Sequence, residues 1–500
     1  MEFSALGYVS DDPLLFTHLL FWLMFAVVLL VYQFIHRQIT ARNAFLFFFS
    51  LYFYYMSSGW FFFLLVFSTL VDYYIGNTIF KTEKKGKHLF WVTTSVIINL
   101  SVLAYFKYTF FFVDTVNNVL GTEIPKADYL TQLLNLFLNT GLPTDSIILP
   151  VGISFFTFQT ISYSVDIYRG KLKPVDNLID FAFYVSFFPQ LVAGPIVRAS
   201  EFVPQIRKTY YVSEEDFKRA IYLILVGLTK KILISDYISG NYVDRIFAEP
   251  LKHSGFENLM AVYGYSIQIY CDFSGYTDVA IGIALLLGFR LPLNFNSPYK
   301  ATSITDFWRR WHISLSSWLR DYLYIPLGGN RKGRVRTYIN LLLTMLLGGL
   351  WHGAAWRFVI WGALHGTALA IHKIWRETIG ENDSESTGIT RILMIFVTFH
   401  FVAFCWMFFR ATSTEIVWQM LEQLFTNFQF GQMLTIISGY ADIYFVILLG
   451  FIFHYLPQSW KDYGRETFAE LPDFAKAIAI TLLILLFFQV ESTPFIYFAF

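Results

Sequence analysis

Two histidines occupy stretches of this 500-residue sequence whose composition suits chemistry. His352 lies in "LLGGLWHGAAWRFVIWGALHG", where glycines and alanines leave room for a ligand or another helix to approach the imidazole closely. His312 lies in "TDFWRRWHISLSSWLRDYLYIPLGGN", flanked by Trp308, Trp311 and Ser314. Neither stretch has a serine elbow or the histidine spacing of a zinc helix, so the pair suggests acid–base catalysis on a hydroxyl acceptor.

Each of these histidines also has an ordinary interpretation. His352 fits a helix-packing motif with a hydrogen-bonded ring, and His312 fits a bystander role in an interfacial aromatic and basic helix. His365 and His372 are seven residues apart on one helix face, and neighbours in the bundle are expected to satisfy them. His400 lies in an apolar span and fits either role. On the residues alone, acyl transfer, lipid modification and proton-coupled transport stay open.

The elements that position these residues belong in a membrane. Hydrophobic residues make up 56% of the chain and charged residues 15%, which excludes a string of soluble domains. The pattern predicts an all-α polytopic protein with about eleven to thirteen spans and re-entrant helices. The clearest apolar windows are 14–34, 89–113, 220–234, 338–350, 354–371, 392–409, 436–453 and 477–488.

Charges around the first spans predict an orientation. The leader is acidic where a signal peptide requires a basic region, so the first span is expected to stay in place. Arg37 and Arg42 follow that span and four lysines lie within 81–88, which predicts an extracytoplasmic N-terminus. The apolar region 44–74 is then a hairpin that turns near Gly59. Cys271 and Cys405 lie in apolar stretches without metal-ligand spacing, so neither a disulfide framework nor a metal is expected.

The segment from residue 300 to residue 336 is the least membrane-like part of the core. Its cations can simply anchor the orientation of the chain, or they can hold an anionic cytoplasmic substrate, because arginine matches phosphate groups with a fork of donors. No Walker-type or Rossmann-type glycine pattern is present, so a nucleotide would need another geometry. The only acids in this segment are Asp306 and Asp321. Its eight cations are Lys300, Arg309, Arg310, Arg320, Arg331, Lys332, Arg334 and Arg336.

Five blocks follow one another between residues 150 and 366: "PVGISFFTFQTISYSVDIYRG", "FPQLVAGPIVR", "YCDFSGYTDVAIGIALLLGF", "PLNFNSPYKATSITDFWRRWHISLSSWLRDYLYIPLGGNR" and "GGLWHGAAWRFVIWGALHG". This succession resembles the membrane-bound O-acyltransferase (MBOAT) family, in its bacterial AlgI/DltB-like branch. The chain length and the three spans after Arg391 are similar to the AlgI-type polysaccharide O-acetyltransferases. The resemblance implies a ring of tilted helices around a funnel, with His352 at its narrow middle and His312 as a second family position on the cytoplasmic side.

The same resemblance implies a function and a setting. A multi-pass enzyme of the bacterial cytoplasmic (inner) membrane would pass acetyl groups from a cytoplasmic donor, expected to be acetyl-CoA, outward for a cell-surface or exported polysaccharide. It would hold no permanent cofactor and no metal, and it would bind no nucleic acid. Its expected partners are membrane lipid and a separate extracytoplasmic SGNH-hydrolase-like acetyltransferase, which completes the transfer to the polysaccharide.

In this interpretation His352 is the general base on an incoming hydroxyl, and His312 orients the thioester or holds charge. A base is required because neither an alcohol nor a phenol with a pKa near 10 is ionised at neutral pH. Arg309 and Arg310 are expected to hold the phosphates of the donor. Further candidates for the lining of the donor site or funnel are Trp308, Trp311, Ser314, Asp272, Tyr276, Asn296, Gln190 and Trp351.

The chain ends on "QVESTPFIYFAF", which contains one tyrosine, Tyr497. An interfacial anchor is one interpretation, since Tyr and Phe favour the headgroup boundary. The family resemblance offers another, because its systems can carry a short aromatic peptide whose tyrosine accepts the acyl group. Six extended residues span roughly 20 Å, more than half of a hydrocarbon core of about 30 Å. The tail is therefore long enough to reach a histidine in the middle of the membrane.

The predicted organisation comprises N-terminal transmembrane helices (1–125), a catalytic core (126–375), C-terminal transmembrane helices (376–490) and the aromatic tail (491–500). Alternatives are D-alanyl or other acyl transfer to a cell-wall polymer, a non-catalytic scaffold, and a transporter or flippase. A transporter would use the intramembrane charges Lys107, Lys230, Lys231, Asp272 and Asp278. The inverted or parallel repeats of many transporters are not apparent in the sequence.

Overall fold

A computed structural model describes residues 7–9, 13–138, 144–192, 194–380, 387–487, 490 and 493–496, and Tyr497 lies outside this part of the chain. The described residues form helices and no strand. The α-helices are α1 Leu19–Ile35, α2 Ile39–Ser58, α3 Phe62–Lys81, α4 Lys85–Leu120, α5 Tyr129–Leu138, α6 Ile153–Tyr168, α7 Leu178–Ser186, α8 Phe188–Leu191, α9 Ala199–Ile206, α10 Glu214–Leu228, α11 Asp244–Ala248, α12 Gly255–Leu286, α13 Ile304–Arg310, α14 Ile313–Leu319, α15 Arg334–His352, α16 Trp356–Ile379, α17 Gly388–Arg410, α18 Thr414–Thr426, α19 Met433–Gly439, α20 Ala441–Tyr455, α21 Gln458–Glu470 and α22 Asp473–Phe487.

Several of these helices are long and apolar enough to cross a membrane. Four helical stretches meet that condition within the described residues, namely Ile39–Lys81, Gly86–Leu120, Gly255–Leu286 and Gly388–Arg410. A fifth is reached if the pair Phe430–Gly439 and Ala441–Tyr455, bent by 91°, counts as one broken span. The predicted all-α, multi-pass architecture is confirmed. The total of about eleven to thirteen spans and re-entrant helices stays a prediction. The bounds of the four predicted segments, 1–125, 126–375, 376–490 and 491–500, also stay predictions.

The turn predicted near Gly59 is present between α2 and α3. Gly59 has a φ of 60°, a backbone conformation that favours glycine. Helices α2 and α3 both contact the segment 176–180. Asn43 Nδ2 of α2 donates to Asp180 Oδ1 at 2.8 Å, and Tyr73 Oη of α3 donates to the carbonyl of Asp176 at 3.0 Å. The chain therefore doubles back at Gly59.

Arg42 does not lie in a loop after the first span. It is a buried residue of α2, and its guanidinium donates to the carbonyls of Lys208, at 2.9 Å, and Ile206. A buried guanidinium needs such acceptors, because an unpaired charge inside a protein is very costly. Arg42 therefore ties α2 to the end of α9 and is no simple marker of orientation.

The central helix of the bundle is α12. It begins with a capping box, in which Ser254 Oγ accepts from the backbone of Glu257 and Glu257 accepts from the backbone of Ser254. Glycines let α10 pack directly against it, since a Cβ added at Gly227 would lie 2.5 Å from the carbonyl oxygen of Gly275. This close packing fixes α12 in the interior, where it presents Asp272, Phe273 and Tyr276 to the candidate site.

The small residues around His352 serve a helix-to-helix contact. A Cβ at Gly349 would lie 2.2 Å from the carbonyl oxygen of Phe358, and one at Gly362 would lie 2.3 Å from that of Met345. The close approach expected at the glycine pair is therefore the packing of α16 onto α15. It holds the end of α15, and with it His352, rigidly in the bundle.

Candidate active site

The two histidines singled out in the sequence lie next to each other around one tryptophan. His352 is the last residue of α15 and is 3% exposed, while His312 immediately precedes α14 and is fully buried. The centroid of the Trp351 ring lies 5.0 Å from that of His352 and 6.3 Å from that of His312. The fold thus brings Trp351 and both histidines together.

His312 is held in one tautomer by a buried asparagine. Asn294 Oδ1 accepts from the backbone N–H of Ser314 at 3.1 Å and from its hydroxyl at 2.9 Å, and His312 Nδ1 lies 3.1 Å away. Because a backbone N–H only donates, this amide atom is the oxygen, and Nδ1 of His312 carries the hydrogen. Nε2 is then the basic nitrogen of the ring. The backbone of His312 has a φ of 43°, an uncommon conformation for a residue other than glycine.

The site uses Asn294, whereas the sequence predicts Asn296, two positions further on. Asn296 is exposed, and its backbone bonds that of Arg310 at 2.9 Å. Nothing local distinguishes the two asparagines of "PLNFN". Only the tertiary fold, which buries Asn294 beside His312, separates them.

His352 is fixed through its backbone by α4. Lys107 Nζ donates to the carbonyls of Trp351 at 2.7 Å and His352 at 3.0 Å, and Tyr108 Oη donates to that of Leu350 at 2.9 Å. These carbonyls end a helix and have no partner within it, so side chains from α4 cap α15. The sequence alone presents Lys107 only as an intramembrane charge of a transporter.

A cavity of about 720 Å³ opens among α13, α14, α15 and α16. Its polar lining carries four cations, Arg309, Arg320, Lys373 and Arg376, together with His372 and one carboxylate, Glu377. Its apolar lining includes Trp308, Ile313, Leu319, Leu341, Met345 and Leu369. Such a site suits an elongated ligand with an anionic part and a less polar part.

Two residues that line this cavity lie on the same elements as the two histidines. Ile313 follows His312 directly, and Met345 precedes His352 by seven residues of one helix, about 10 Å. His352 itself lines a smaller cavity of about 40 Å³, together with Lys107, residues 149–155, Val192 and Trp351.

Aromatic side chains continue from the large cavity to His352. Trp308 Nε1 donates to Nδ1 of His365 at 3.3 Å, and the ring of Trp361 lies 4.7 Å from His365 and 5.1 Å from His352. His365 thus has a bundle partner, as expected. His372 meets Thr305 at 2.8 Å on the cavity wall.

Arg309 and Arg310 have different environments. Arg309 lines the cavity, and no carboxylate of the described residues lies within ion-pair distance of it. Arg310 pairs with Asp306 at 2.8 Å and is not part of the lining. Arg309 thus lies on the cavity wall and Arg310 lies outside it, and the donor contact expected of both stays a prediction. Lys373 and Arg376, which the sequence pattern does not single out, are on the wall instead.

The remaining candidates have structural partners. Gln190 donates to the carbonyl of Tyr184 at 2.5 Å, Trp311 packs against Trp406 at 4.9 Å, and Ser314 Oγ accepts from the backbone of Ile196 at 3.0 Å. Gln190 and Trp311 are buried and lie outside both cavity walls. Ser314 reaches the site through Asn294.

Asp272 and Tyr276 meet the described end of the chain. Asp272 Oδ2 accepts from the backbone N–H of Ile496 at 2.9 Å, and the ring of Tyr276 lies 4.9 Å from that of Phe495. Phe495 is fully buried and also packs against Phe273 at 5.5 Å. The ring of Phe273 in turn lies 4.6 Å from that of His312. Residues 493–496, the tail segment, thus enter the bundle beside the histidine pair.

Fold and site together define a class of protein: a helical membrane enzyme with two buried imidazoles around one tryptophan and a cationic cavity in the same bundle. The chain belongs to the membrane-bound O-acyltransferase family, whose model matches residues 89–418. The predicted family and its enzyme class, acyltransferase, are confirmed.

Named relatives support this assignment. The chain is 41% identical over 362 residues to a protein of Pseudomonas aeruginosa named probable alginate O-acetylase AlgI, covering 72% of this chain and 65% of the relative. It is 38% identical over 381 residues to a peptidoglycan O-acetyltransferase of Helicobacter pylori, covering 71% and 68%. A teichoic acid D-alanyltransferase of Bacillus subtilis is 31% identical over 275 residues, covering 52% and 69%. The match thus spans about two thirds of the length of these relatives.

Proposed function

We propose that the chain takes an acetyl group from cytoplasmic acetyl-CoA and passes it, through Tyr497, toward O-acetylation of a cell-surface or exported polysaccharide. The observation that carries the proposal is the cationic cavity, whose lining residues Ile313 and Met345 lie on the same elements as His312 and His352. The setting proposed is the bacterial cytoplasmic membrane, with the N-terminus outside. An extracytoplasmic SGNH-hydrolase-like partner completes the transfer.

The donor fits the cavity by its charge and shape. Coenzyme A carries phosphates at one end and a long, less polar arm that ends in the thioester. Arg309 and Arg376 supply donors for the phosphates at one wall of the cavity, and Arg320 and Lys373, which pair with Asp321 and Glu377, add positive charge there. The apolar wall near Trp308, described above, then guides the arm toward the histidines. A volume of about 720 Å³ lies within the usual range of ligand sites.

The reaction proposed is a transfer of the acyl group from sulfur to oxygen. His352 takes the proton of the acceptor hydroxyl, and the oxygen attacks the thioester carbonyl carbon. The carbon–sulfur bond breaks as the new carbon–oxygen bond forms, and the thiolate leaves with the proton that the imidazolium returns. His312, with its tautomer set by Asn294, orients the thioester through Nε2.

The acceptor proposed is the hydroxyl of Tyr497, which follows Ile496 in the sequence. An interfacial anchor would turn its phenylalanines toward lipid, whereas Phe495 is fully buried between residues of α12. The ring of Phe273 that Phe495 packs against also contacts His312. This burial favours the acyl-carrier interpretation of the tail over the anchor.

The test is donor turnover by the purified protein. Acetyl-CoA should be consumed and free thiol released, whereas a D-alanyl thioester should not be used. The His352→Ala variant should fold and insert but lose turnover by about a hundredfold or more. Substantial turnover in this variant would overturn the assignment of the base. Use of the D-alanyl donor instead would overturn the acetyl donor and leave the acyl chemistry standing.

A further inference from the structure

A buried ionic cluster receives the tail segment. Lys231 Nζ lies 2.7 Å from Oδ1 of Asp236 and 2.7 Å from Oδ1 of Asp272. The three side chains are at most 4% exposed. Two carboxylates share one ammonium in this cluster, so they require further hydrogen-bond donors to be stable in the interior.

The tail segment supplies those donors. Thr493 Oγ1 donates to Asp236 Oδ1 at 2.7 Å, and the backbone N–H of Ile496 donates to Asp272 Oδ2 at 2.9 Å. The carbonyl of Thr493 accepts from Lys231 Nζ at 2.9 Å. Every member of the cluster therefore has at least one hydrogen bond to the tail segment. Asp236 and Asp272 therefore bind the tail segment at Thr493 and Ile496, three positions apart.

A local irregularity in the backbone builds the cluster. Lys231 and Asp236 are five residues apart, a spacing that an ordinary α-helix would turn to different sides. The segment Thr229–Asp236 is a π-helix, in which residues five apart are hydrogen-bonded neighbours. The π-helix thus puts the ammonium beside the carboxylate, facing Asp272 of α12. Short π segments of this kind recur at functional sites.

The cluster also lies beside the candidate active site. Asp272 directly precedes Phe273, whose ring packs on His312 at 4.6 Å. Phe495, between the two attachment points, packs on Phe273 at 5.5 Å and Tyr276 at 4.9 Å. Because consecutive Cα atoms lie about 3.8 Å apart, fixing Ile496 limits where the next residue can reach.

We propose that Lys231, Asp236 and Asp272 are positioning residues that hold the tail segment in register, so that Tyr497 is presented to the histidine pair for acylation. The inference rests on the proposed function, in which Tyr497 accepts the acyl group. The three side chains are not part of the donor cavity wall, so the cluster acts on the acceptor side of the reaction alone.

The test is single-turnover acetylation of Tyr497 in the full-length protein, followed by mass spectrometry of its tail peptide. Thr493→Val removes one tail hydroxyl and keeps the shape and the cluster, and Asp272→Asn weakens the other attachment. Both should lower the acetylation rate constant tenfold or more and leave the KM for acetyl-CoA within twofold. Thr493→Ser should restore the rate. Amide hydrogen exchange of residues 493–496 should accelerate in both slow variants.

A matched control lies on the same helix. Asp278 pairs with Lys230 at 2.6 Å and, among the described residues, forms no hydrogen bond to the tail segment, so Asp278→Asn makes the same charge change and should acetylate at the wild-type rate. If Asp272→Asn does not fold, the acetylation rate of Thr493→Val alone tests the positioning role. Wild-type acetylation rates in Thr493→Val, with or without faster exchange, would overturn the positioning role. Absence of acetyl-tyrosine in the wild type would instead overturn the proposed function on which that role depends.

Discussion

Asn294 Oδ1 and His312 Nδ1 lie 3.1 Å apart in the interior of the bundle, and the same oxygen accepts two hydrogen bonds from Ser314. This arrangement leaves His312 one basic nitrogen, Nε2. It also ties the histidine to the loop between α12 and α13. Trp351 then links it to His352.

Replacing Asn294 with Leu should weaken catalysis without removing either histidine. Loss of a buried hydrogen bond costs about 1–3 kcal/mol, which corresponds to roughly ten- to hundredfold in kcat if it is fully expressed in the transition state. The KM for acetyl-CoA should change little, because Asn294 does not line the large cavity. Steady-state kinetics with Asn296→Leu as the matched exposed control checks this. Equal effects of the two substitutions would contradict the role given to Asn294.

The cavity cations should govern donor affinity. Arg309→Ala removes a phosphate donor and should raise the KM for acetyl-CoA about tenfold, since a charge-assisted hydrogen bond contributes about 1.5–3 kcal/mol. Arg310→Ala, which only breaks the pair with Asp306, should leave the KM nearly unchanged. The comparison is made by initial rates at varied donor concentration.

A second donor sharpens that experiment. Acetyl-pantetheine has the thioester arm but lacks the nucleotide and its phosphates. It should be used poorly by the wild type and equally poorly by Arg309→Ala, because this substitution removes only an interaction with a phosphate. A further drop in the rate with acetyl-pantetheine would mean that Arg309 acts on the fold and not on the phosphates.

Lys107→Met should loosen the end of α15. The ammonium holds the carbonyls of Trp351 and His352, so its loss leaves two buried acceptors without their partner and should cost about 1–3 kcal/mol of stability. A lower kcat should accompany the lower thermal midpoint. Tyr108→Phe removes a single neutral hydrogen bond to Leu350 and should cost about 0.5–1.5 kcal/mol. Thermal unfolding in detergent compares the two variants. A larger destabilisation in Tyr108→Phe than in Lys107→Met would argue against Lys107 as the main cap of α15.

Much of the site is predictable from sequence because its residues occur in short sequence blocks with distinctive neighbours. His352 and His312 stand out by their neighbours, and the structure places Trp351 against both rings and Arg309 and Trp308 on the wall of the large cavity. The all-α membrane fold follows from the apolar composition and the apolar windows. The catalytic and binding roles of these residues stay predictions.

The features that sequence does not predict depend on tertiary contacts. The spacing of Asp306 and Arg310, four apart on one helix, is the one local sign that Arg310 is paired with a carboxylate. Lys373 and Arg376 reach the cavity only because α16 folds back on α15 through Gly349 and Gly362. The binding of the tail segment by Lys231 and Asp236 depends on the π-helix Thr229–Asp236, which no residue pattern in that segment indicates.

In the proposed reaction an acetyl group moves from coenzyme A to Tyr497 with His352 as base. The most direct measurement is mass spectrometry of the tail peptide after the purified protein is incubated with acetyl-CoA. We predict one acetyl group on Tyr497, absent from both His352→Ala and Tyr497→Phe, with polysaccharide acetylation abolished in Tyr497→Phe. An unmodified tail in the wild type, together with full polysaccharide acetylation by Tyr497→Phe, would contradict the claim.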